Sequence, residues 1–534
     1  MYDRYFRAGV CVYGGRVPRF PMFKDRRLES PSVVKWKAES GAKWENKFRM
    51  CVPNIEAGYL SGCKYERPQP VLAENPWKLS GEWTARHFAP HMSGSSVLSE
   101  FDAVKEAERG PSPGYPFNLH WKDKGAFFDD PEGQPMLGEY WERLATSEPA
   151  PIFWQLSVKY ELRAVEKLAA NKLRTFTASS VVHSIANSRL CFHMNEKFYR
   201  SHLRTWSFVG CSKFRLGFNR AMNKLRAHKN GWTLDEKTYD CSVFARMLAE
   251  ICEFRISCLA REARTEENTI RMRNLYIDII HSLMVGDSGD VIVKNTGNPS
   301  GQGNTIVDNT LALFRLTCYA WIVLWLERAD HRDEDISYTV MMANVSALLC
   351  GDDNTLAVSE SVAGWFNAVN IARVWSSIGV ETDTECWEAR PVEHLDFLSN
   401  RWVKDEKTDY YLPCPDESRV LDSLLYGSSS HDVRWSLLRA YALRIDSWAN
   451  VSCREKIASY IEFVWQNYQD ELAGSLRVPT TTNQVITYDE IKAVWMTDSQ
   501  LHRLYIGFEQ CAMSVKHTEG CFKILRILSS ALAL

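Results

Sequence analysis

MMANVSALLCGDDNTLAVSE, residues 341–360, is the stretch on which the reading of this chain turns. Two apolar, strand-like runs flank Gly351-Asp352-Asp353, a pattern that predicts a β-hairpin whose tight turn presents two carboxylates. Adjacent acids at a turn between buried strands repel each other, and a bound cation would relieve that repulsion. A second acidic pair lies upstream in GWTLDEKTYDCSVF, residues 231–244. Trp232 to Leu234 read as the end of a strand with Asp235 at its mouth, and Asp240 follows where a helix begins. Asp235 and Asp352 are 117 residues apart, so only tertiary structure can bring them together. Two divalent cations about 3.5–4 Å apart need carboxylates converging from different strands, and Mg2+ prefers such hard oxygen ligands. Taken singly, each pair reads equally well as polar surface.

Working outward, NTGNPSGQGNTIVDNTLALF (residues 295–314) lies between the two acidic segments. Gly297, Gly301 and Gly303 make a flexible loop, and the helix that follows carries Thr305 and Asn309 on one face at i, i+4. Ser300, Thr305 and Asn309 offer hydroxyl and amide groups of the kind that read a ribose. Further upstream, SVKYELRAVEKLAANKLRTFTASS (residues 157–180) places five basic residues between Lys159 and Arg174, the electrostatics that an incoming triphosphate requires. Ser112-Pro113-Gly114-Tyr115-Pro116 reads locally as a proline turn.

Composition bounds the class. The chain has 534 residues, 45% of them hydrophobic and 24% charged, which excludes wholesale disorder and leaves ample core for a multi-lobed enzyme. Its 64 Lys+Arg balance 66 Asp+Glu, which excludes a blanket polyanion binder but allows a basic channel offset by acidic surface. The 15 cysteines are scattered, with no CxxC pair, so a reducing compartment is the simpler expectation. The first residues lack the apolar core of a signal peptide. The most apolar stretch, Leu316 to Leu326, is 11 residues long, against the about 20 that a membrane span needs, and reads as a buried helix. The first 150 residues, rich in Pro, Gly and Trp, predict irregular structure and short elements. The last 125 or so carry helical periodicity, and the apolar tail from Phe522 to Leu534 predicts a docked helix.

The order DxxxxD, SGxxxTxxxN, GDD resembles motifs A, B and C of the RNA-dependent RNA polymerases of positive-strand RNA viruses, in the picornavirus, calicivirus, potyvirus and astrovirus supergroup. The KxEL…KxR run resembles motif F, residues 112–116 resemble the template-entry motif G, and LDFLSNR (residues 395–401) resembles the primer-gripping motif E. Recognisable motifs run from about 112 to 401, and the remainder is assigned by position. The resemblance implies a mixed α+β, closed right hand of fingers, palm and thumb, with a small antiparallel palm sheet and a helical C-terminal thumb. By position, fingers occupy 1–190, palm 191–245, a fingers/palm insertion 246–290, palm again 291–405 and thumb 406–534.

The implied activity is RNA-directed RNA synthesis by two-metal nucleotidyl transfer from NTPs to an RNA 3′-hydroxyl, releasing pyrophosphate. Asp235, Asp352 and Asp353 would ligate two Mg2+ ions, with Mn2+ able to substitute. Lys159, Lys172 and Arg174 would hold the triphosphate, and Asp240, Ser300, Thr305 and Asn309 the ribose. Ser112, Gly114, Tyr115, Gly301 and Arg401 would meet template or primer RNA, with further backbone contact from the basic segment Lys197 to Lys229. The implied partners are RNA, NTPs, a protein primer and other viral replication proteins, with no transmembrane segment in this chain. The implied setting is the host-cell cytoplasm, in replication complexes held at membranes through those partners. Three rival readings remain at this level: a reverse transcriptase, a non-catalytic RNA-binding protein on a polymerase fold, and a metal-dependent phosphohydrolase. Against the first stand Asp240, where a bulky apolar gate would be expected, and the glycine of the GDD turn. One feature departs from the family pattern: SSIGVETDTECWEARPVEHLDF (residues 376–397) contains no lysine where motif D usually supplies one. Arg373 and Arg390 are poor proton donors, and His394 is an alternative, so the general acid is open.

Overall fold

The computed structural model describes residues 11–18, 28–146, 151–330, 332, 335–426, 432–473, 475–477, 485–487 and 495–507. The expected C-terminal helix at Phe522–Leu534 lies outside these residues. A four-stranded antiparallel sheet lies at the centre. Its strands are β1 (Asn230–Glu236), β2 (Val345–Cys350), β3 (Asp353–Val358) and β4 (Thr382–Asp383), in the order β4-β1-β3-β2. The predicted hairpin is β2–β3, although Met341–Asn344, at the start of the quoted stretch, belongs to a short helix (Tyr338–Asn344). β1 runs further than expected and carries Asp235 within it.

Side-chain alternation along these strands assigns the two faces. Trp232, Leu234, Leu356 and Val358 enter the large core, whereas Leu348 and Ala357 enter a smaller cluster with Phe208, Phe218 and Phe397. Both faces of the hairpin are therefore covered, which is why β2 is apolar at every position but Ser346. Behind the sheet, α1 (Thr305–Leu326) is 22 residues long, twice the apolar run visible in sequence. Among the described residues it is the one helix long and apolar enough to cross a membrane, yet it is largely buried inside the protein. It packs on the Glu74–Met92 and Ala368–Ser377 helices, and Trp375 Nε1 donates to the Leu316 carbonyl at 2.9 Å.

The N-terminal third is more helical than its composition predicts. Glu74–Met92 is a 19-residue helix that buries Trp77, Ser80, Trp83, Thr84, His87 and Phe88. The repeat is helical, but tryptophan, histidine, serine and threonine carry it, so an apolar/polar reading misses it. A second, five-stranded sheet places Phe153–Val158 beside Thr175–Ala178, bracketing the basic segment.

The C-terminal helices Glu417–Leu425, Val433–Asp446 and Val451–Asn467 share one core with Val33 and Trp36 of the Pro31–Ser40 helix. Tyr160 and Leu162 of the basic segment pack on the same cluster. Leu162–Ala164 also pairs with Phe48–Met50, while Trp44 Nε1 donates to Asp422 at 2.9 Å. The basic segment and the N-terminal residues 31–50 thus reach the C-terminal lobe. All 13 cysteines among the described residues are free thiols.

Candidate active site

Asp235 and Asp383 are cross-strand partners on β1 and β4. The turn between β2 and β3 consists of Gly351 and Asp352 alone, with Cys350 paired to Asp353. Gly351 has φ 71° at the first central position, where a type II′ hairpin takes glycine. Its N–H donates to Thr310 Oγ1 at 2.9 Å, so α1 fixes the turn from behind. Asp235, Asp352 and Asp353 are solvent-exposed at their tips. Packing around its base, then the charges of Asp352 and Asp383, raise the Asp235 carboxyl above the usual range. Burial of its base, then Asp352 and Asp235, push Asp353 up to about 6. Glu236, fully buried behind them, is raised well above its ordinary value by burial and accepts from Asn354 Nδ2 at 2.9 and 3.1 Å.

Burial first, and like charge second, thus disfavour ionisation of these oxygen donors. Among the described residues, no Lys or Arg closes an ion pair on Asp235, Asp352 or Asp353, and no group of three or more His, Cys, Asp or Glu side chains is arranged to hold a metal ion. The donor set itself, carboxylates alone, is of the hard-oxygen type that Mg2+ takes together with substrate phosphates.

The glycine loop abuts this centre. The Asp240 carbonyl accepts from Asn298 N at 2.6 Å, and Asn298 Nδ2 donates to Asn309 Oδ1 at 2.8 Å. Asp240 and Asn309 are thereby joined through a residue that the sequence reading passed over. Ser300 Oγ accepts from Thr177 N at 3.1 Å, and Thr305 Oγ1 donates to the Pro299 and Gln302 carbonyls at 2.8 Å. Both hydroxyls therefore tie the loop to its surroundings. Gly301 approaches Thr177 so closely that a Cβ would lie 2.1 Å from its carbonyl oxygen.

Beneath the loop runs a buried polar network. Asp308 accepts from Arg255 Nε and from Tyr276 Oη, both at 2.8 Å, and from Gln302 Nε2 at 3.1 Å. Gln302 Nε2 also donates to Asn298. Asn195 and Asn187 bond Asn304, and Arg255 Nη1 donates to Asn195. None of Arg255, Asn187, Asn195, Asn298, Gln302 and Asp308 is singled out by a motif spacing. Their only sequence signal is an unusual density of amides and charges in segments otherwise apolar.

The basic segment faces the acids. Lys159 N donates to the Arg174 carbonyl at 2.9 Å. Burial, then Arg174 beside it, lower the Lys159 ammonium, while Glu161, Asp240 and Asp352 oppose that shift. Arg174 acts on Asp353, and Lys167 on Asp235, in the stabilising sense. Lys172 is exposed on the same segment.

A family model described as viral RNA-dependent RNA polymerase matches residues 56–463, more than half of the chain. The chain belongs to the viral RNA-dependent RNA polymerases. It is 26% identical over 364 residues to the genome polyprotein of Bean yellow mosaic virus, covering 67% of this chain and 11% of that one. It is 34% identical over 211 residues to genome polyprotein 1 of Barley mild mosaic virus (strain Na1), covering 39% and 9%. The chain therefore spans only a small part of those polyproteins. The Sicinivirus 3Dpol RNA dependent RNA polymerase superposes with a TM-score of 0.68 at 16% identity, covering 85% of this chain and 94% of that chain. The fold is thus that of the right-hand viral polymerases.

The other motif positions of this polymerase fold are distributed as follows. Gly114 has φ 75°, and its N–H donates to Ser112 Oγ at 3.2 Å. The Tyr115 ring is buried against Phe153. Arg401 is exposed and pairs in register with Asp396. The Asp396 carbonyl accepts from Thr233 Oγ1 and Thr355 Oγ1 at 2.9 and 3.0 Å, docking the motif E strand on β1 and β3. In the motif D segment, Arg373 is ion-paired with Glu327 and His394 is exposed. Lys237 Nζ lies 3.4 Å from Asp383. In the segment Lys197–Lys229, Lys197 and Lys224 donate to backbone carbonyls and Lys213 pairs with Asp446. These three cations hold protein together, which narrows the basic surface expected there.

Proposed function

We propose that this chain copies an RNA template by transferring nucleotidyl groups from NTPs to an RNA 3′-hydroxyl, releasing pyrophosphate. The observation that carries this reading is the convergence of three groups of side chains drawn from four separate stretches of sequence. The Asp235 and Asp352–Asp353 carboxylates, the Lys159–Arg174 cations and the Asp240–Asn298–Asn309 cluster meet at one end of the central sheet. Each matches one part of a nucleotide: metal-bridged phosphates, triphosphate charge and sugar. Asp235, Asp352 and Asp353 would hold Mg2+, with Mn2+ able to substitute. Bound there, such ions would lower the pKa of the attacking hydroxyl and neutralise charge on the phosphates.

The chain's own groups supply positioning and electrostatics, on which phosphoryl transfer chiefly relies. Lys159 and Arg174 meet the triphosphate, with Lys172 at the rim. Asp240 and Asn309 pair the 2′-hydroxyl, which both donates and accepts. A deoxynucleotide leaves those polar groups unpaired and is rejected. Ser112, Gly114, Gly301 and Arg401 guide template and primer. The partners would be RNA, a protein primer and other viral replication proteins, in membrane-held complexes of the host cytoplasm.

The test is extension of a primed RNA template with Mg2+ and either NTPs or dNTPs. Template-directed product from NTPs and little from dNTPs supports the reading. NTP hydrolysis without RNA, or efficient use of dNTPs, overturns it.

A further inference from the structure

The turn that carries Asp240 is held in a costly conformation. Thr238, just before the short helix Tyr239–Ser242, has φ 52° and ψ 48°, the left-handed region that a β-branched residue rarely enters. What holds it is a side chain from a distant segment. The Arg67 guanidinium donates to Thr238 Oγ1, to Ser242 Oγ at 2.7 Å and to the Gly379 carbonyl at 3.0 Å. Its Nε donates to the Lys64 carbonyl at 3.0 Å, which fixes the fork at its base. Gly379 closes the end of the Ala368–Ser377 helix, with its N–H bonded to Ser376 and φ 79°. One guanidinium thus joins the fingers corner, both ends of the Asp240 turn and the end of the motif D helix.

The opposite flank of the turn is equally close. A Cβ on Gly297 would lie 2.7 Å from the Tyr65 ring and 2.9 Å from the Asp240 carbonyl oxygen. Tyr65 and Arg67 therefore hold the Asp240 turn against the glycine loop from the same corner.

We propose that Arg67 is a positioning residue that sets sugar selectivity. It keeps Asp240 in register with Asn298 and Asn309, and makes that register depend on the motif D helix through Gly379. The inference rests on the polymerase reading given above. Its physical basis is that rejection of a deoxynucleotide needs a rigid site. If the turn can drift, water or a shifted side chain satisfies the groups that a missing 2′-hydroxyl would leave unpaired, and the penalty shrinks. A residue that merely stabilises the fold would reduce incorporation of both nucleotides alike.

The experiment compares single-nucleotide incorporation of an NTP and its 2′-deoxy analogue by the full chain and by Arg67→Ala, Arg67→Lys and Ser242→Ala, with thermal unfolding of each. The expected result is a fall in the NTP/dNTP ratio of kcat/KM by roughly tenfold in Arg67→Ala, with smaller falls in the other two, since each keeps part of the bonding. If Arg67→Ala does not fold, the two milder variants decide by the same ratio. An unchanged ratio in active variants overturns the inference and leaves the polymerase reading intact. No templated product from the unaltered chain overturns both.

Discussion

Replacing Asp308 by alanine should be among the most destabilising single changes available in this protein. Arg255 and Asp308 have fully buried side chains, with Nη2 and Oδ1 2.7 Å apart. Removing the carboxylate leaves the guanidinium charged in the interior. Truncating one partner of a buried pair costs about 3–5 kcal/mol. Tyr276 Oη and one bond of Gln302 also lose their acceptor, and each orphaned group adds about 1 kcal/mol or more. A loss of roughly 5–7 kcal/mol follows, a large share of the about 5–15 kcal/mol that holds most domains folded. Urea unfolding followed by tryptophan fluorescence would measure it. The double change Arg255→Met with Asp308→Leu should recover at least half of the loss, because neither charge then remains buried alone. A loss below about 1 kcal/mol for Asp308→Ala, or no recovery in the double variant, would refute the assignment of Asp308 as the hub beneath the glycine loop.

Other expectations follow from the same geometry. Asp353 titrates near 6 in the folded chain against 3.8 as the reference, so the metal-free fold binds this proton more tightly than the unfolded chain does. Its contribution to metal-free stability should therefore fall as pH rises from about 4 through 6, while Mn2+ affinity rises over the same window. Asp353→Asn should remove that part of the pH dependence in a metal titration. Gly301→Ala forces a methyl against the Thr177 carbonyl and should cost about 1–3 kcal/mol, read as a lower unfolding temperature, with loss of activity as the loop shifts. Lys159→Ala should raise the KM for NTP about tenfold, the worth of one charge-assisted contact, while leaving binding of primed template unchanged in a gel-shift titration.

Sequence and structure agree where chemistry is local. The hairpin turn, the DxxxxD pair and the basic run are short, and their residue types have few other uses together. Gly301 and Gly351 are legible for the same reason, since a close approach or a left-handed turn needs glycine. What stays hidden in the sequence is long-range. Arg67 bonds residues 171, 175 and 312 positions away, and nothing in CKYERPQ announces that reach. Asp308 and Arg255 look like helix-surface charges until the four helices that carry Asn195, Arg255, Tyr276 and Asp308 pack together. The Glu74–Met92 helix escapes notice because its buried face is amphipathic, and the packing of Tyr115 against Phe153 is likewise invisible in sequence. The lysine-free motif D segment is visible in sequence, but the placement of Lys237 beside Asp383 requires the pairing of β1 with β4.

The central claim is that the carboxylates of β1 and of the β2–β3 turn drive nucleotidyl transfer. Single-turnover incorporation on a primed RNA, with released pyrophosphate counted against added nucleotide, tests it in the unaltered chain, Asp235→Asn and Asp352→Asn. Asparagine keeps shape and removes charge, so both variants should fold and bind primed template. One pyrophosphate per nucleotide is expected in the unaltered chain, with a rate lower by about 10²–10⁴-fold in each variant, the scale of removing one preorganised catalytic group. Incorporation within a few-fold of the unaltered rate in either folded variant would contradict that claim.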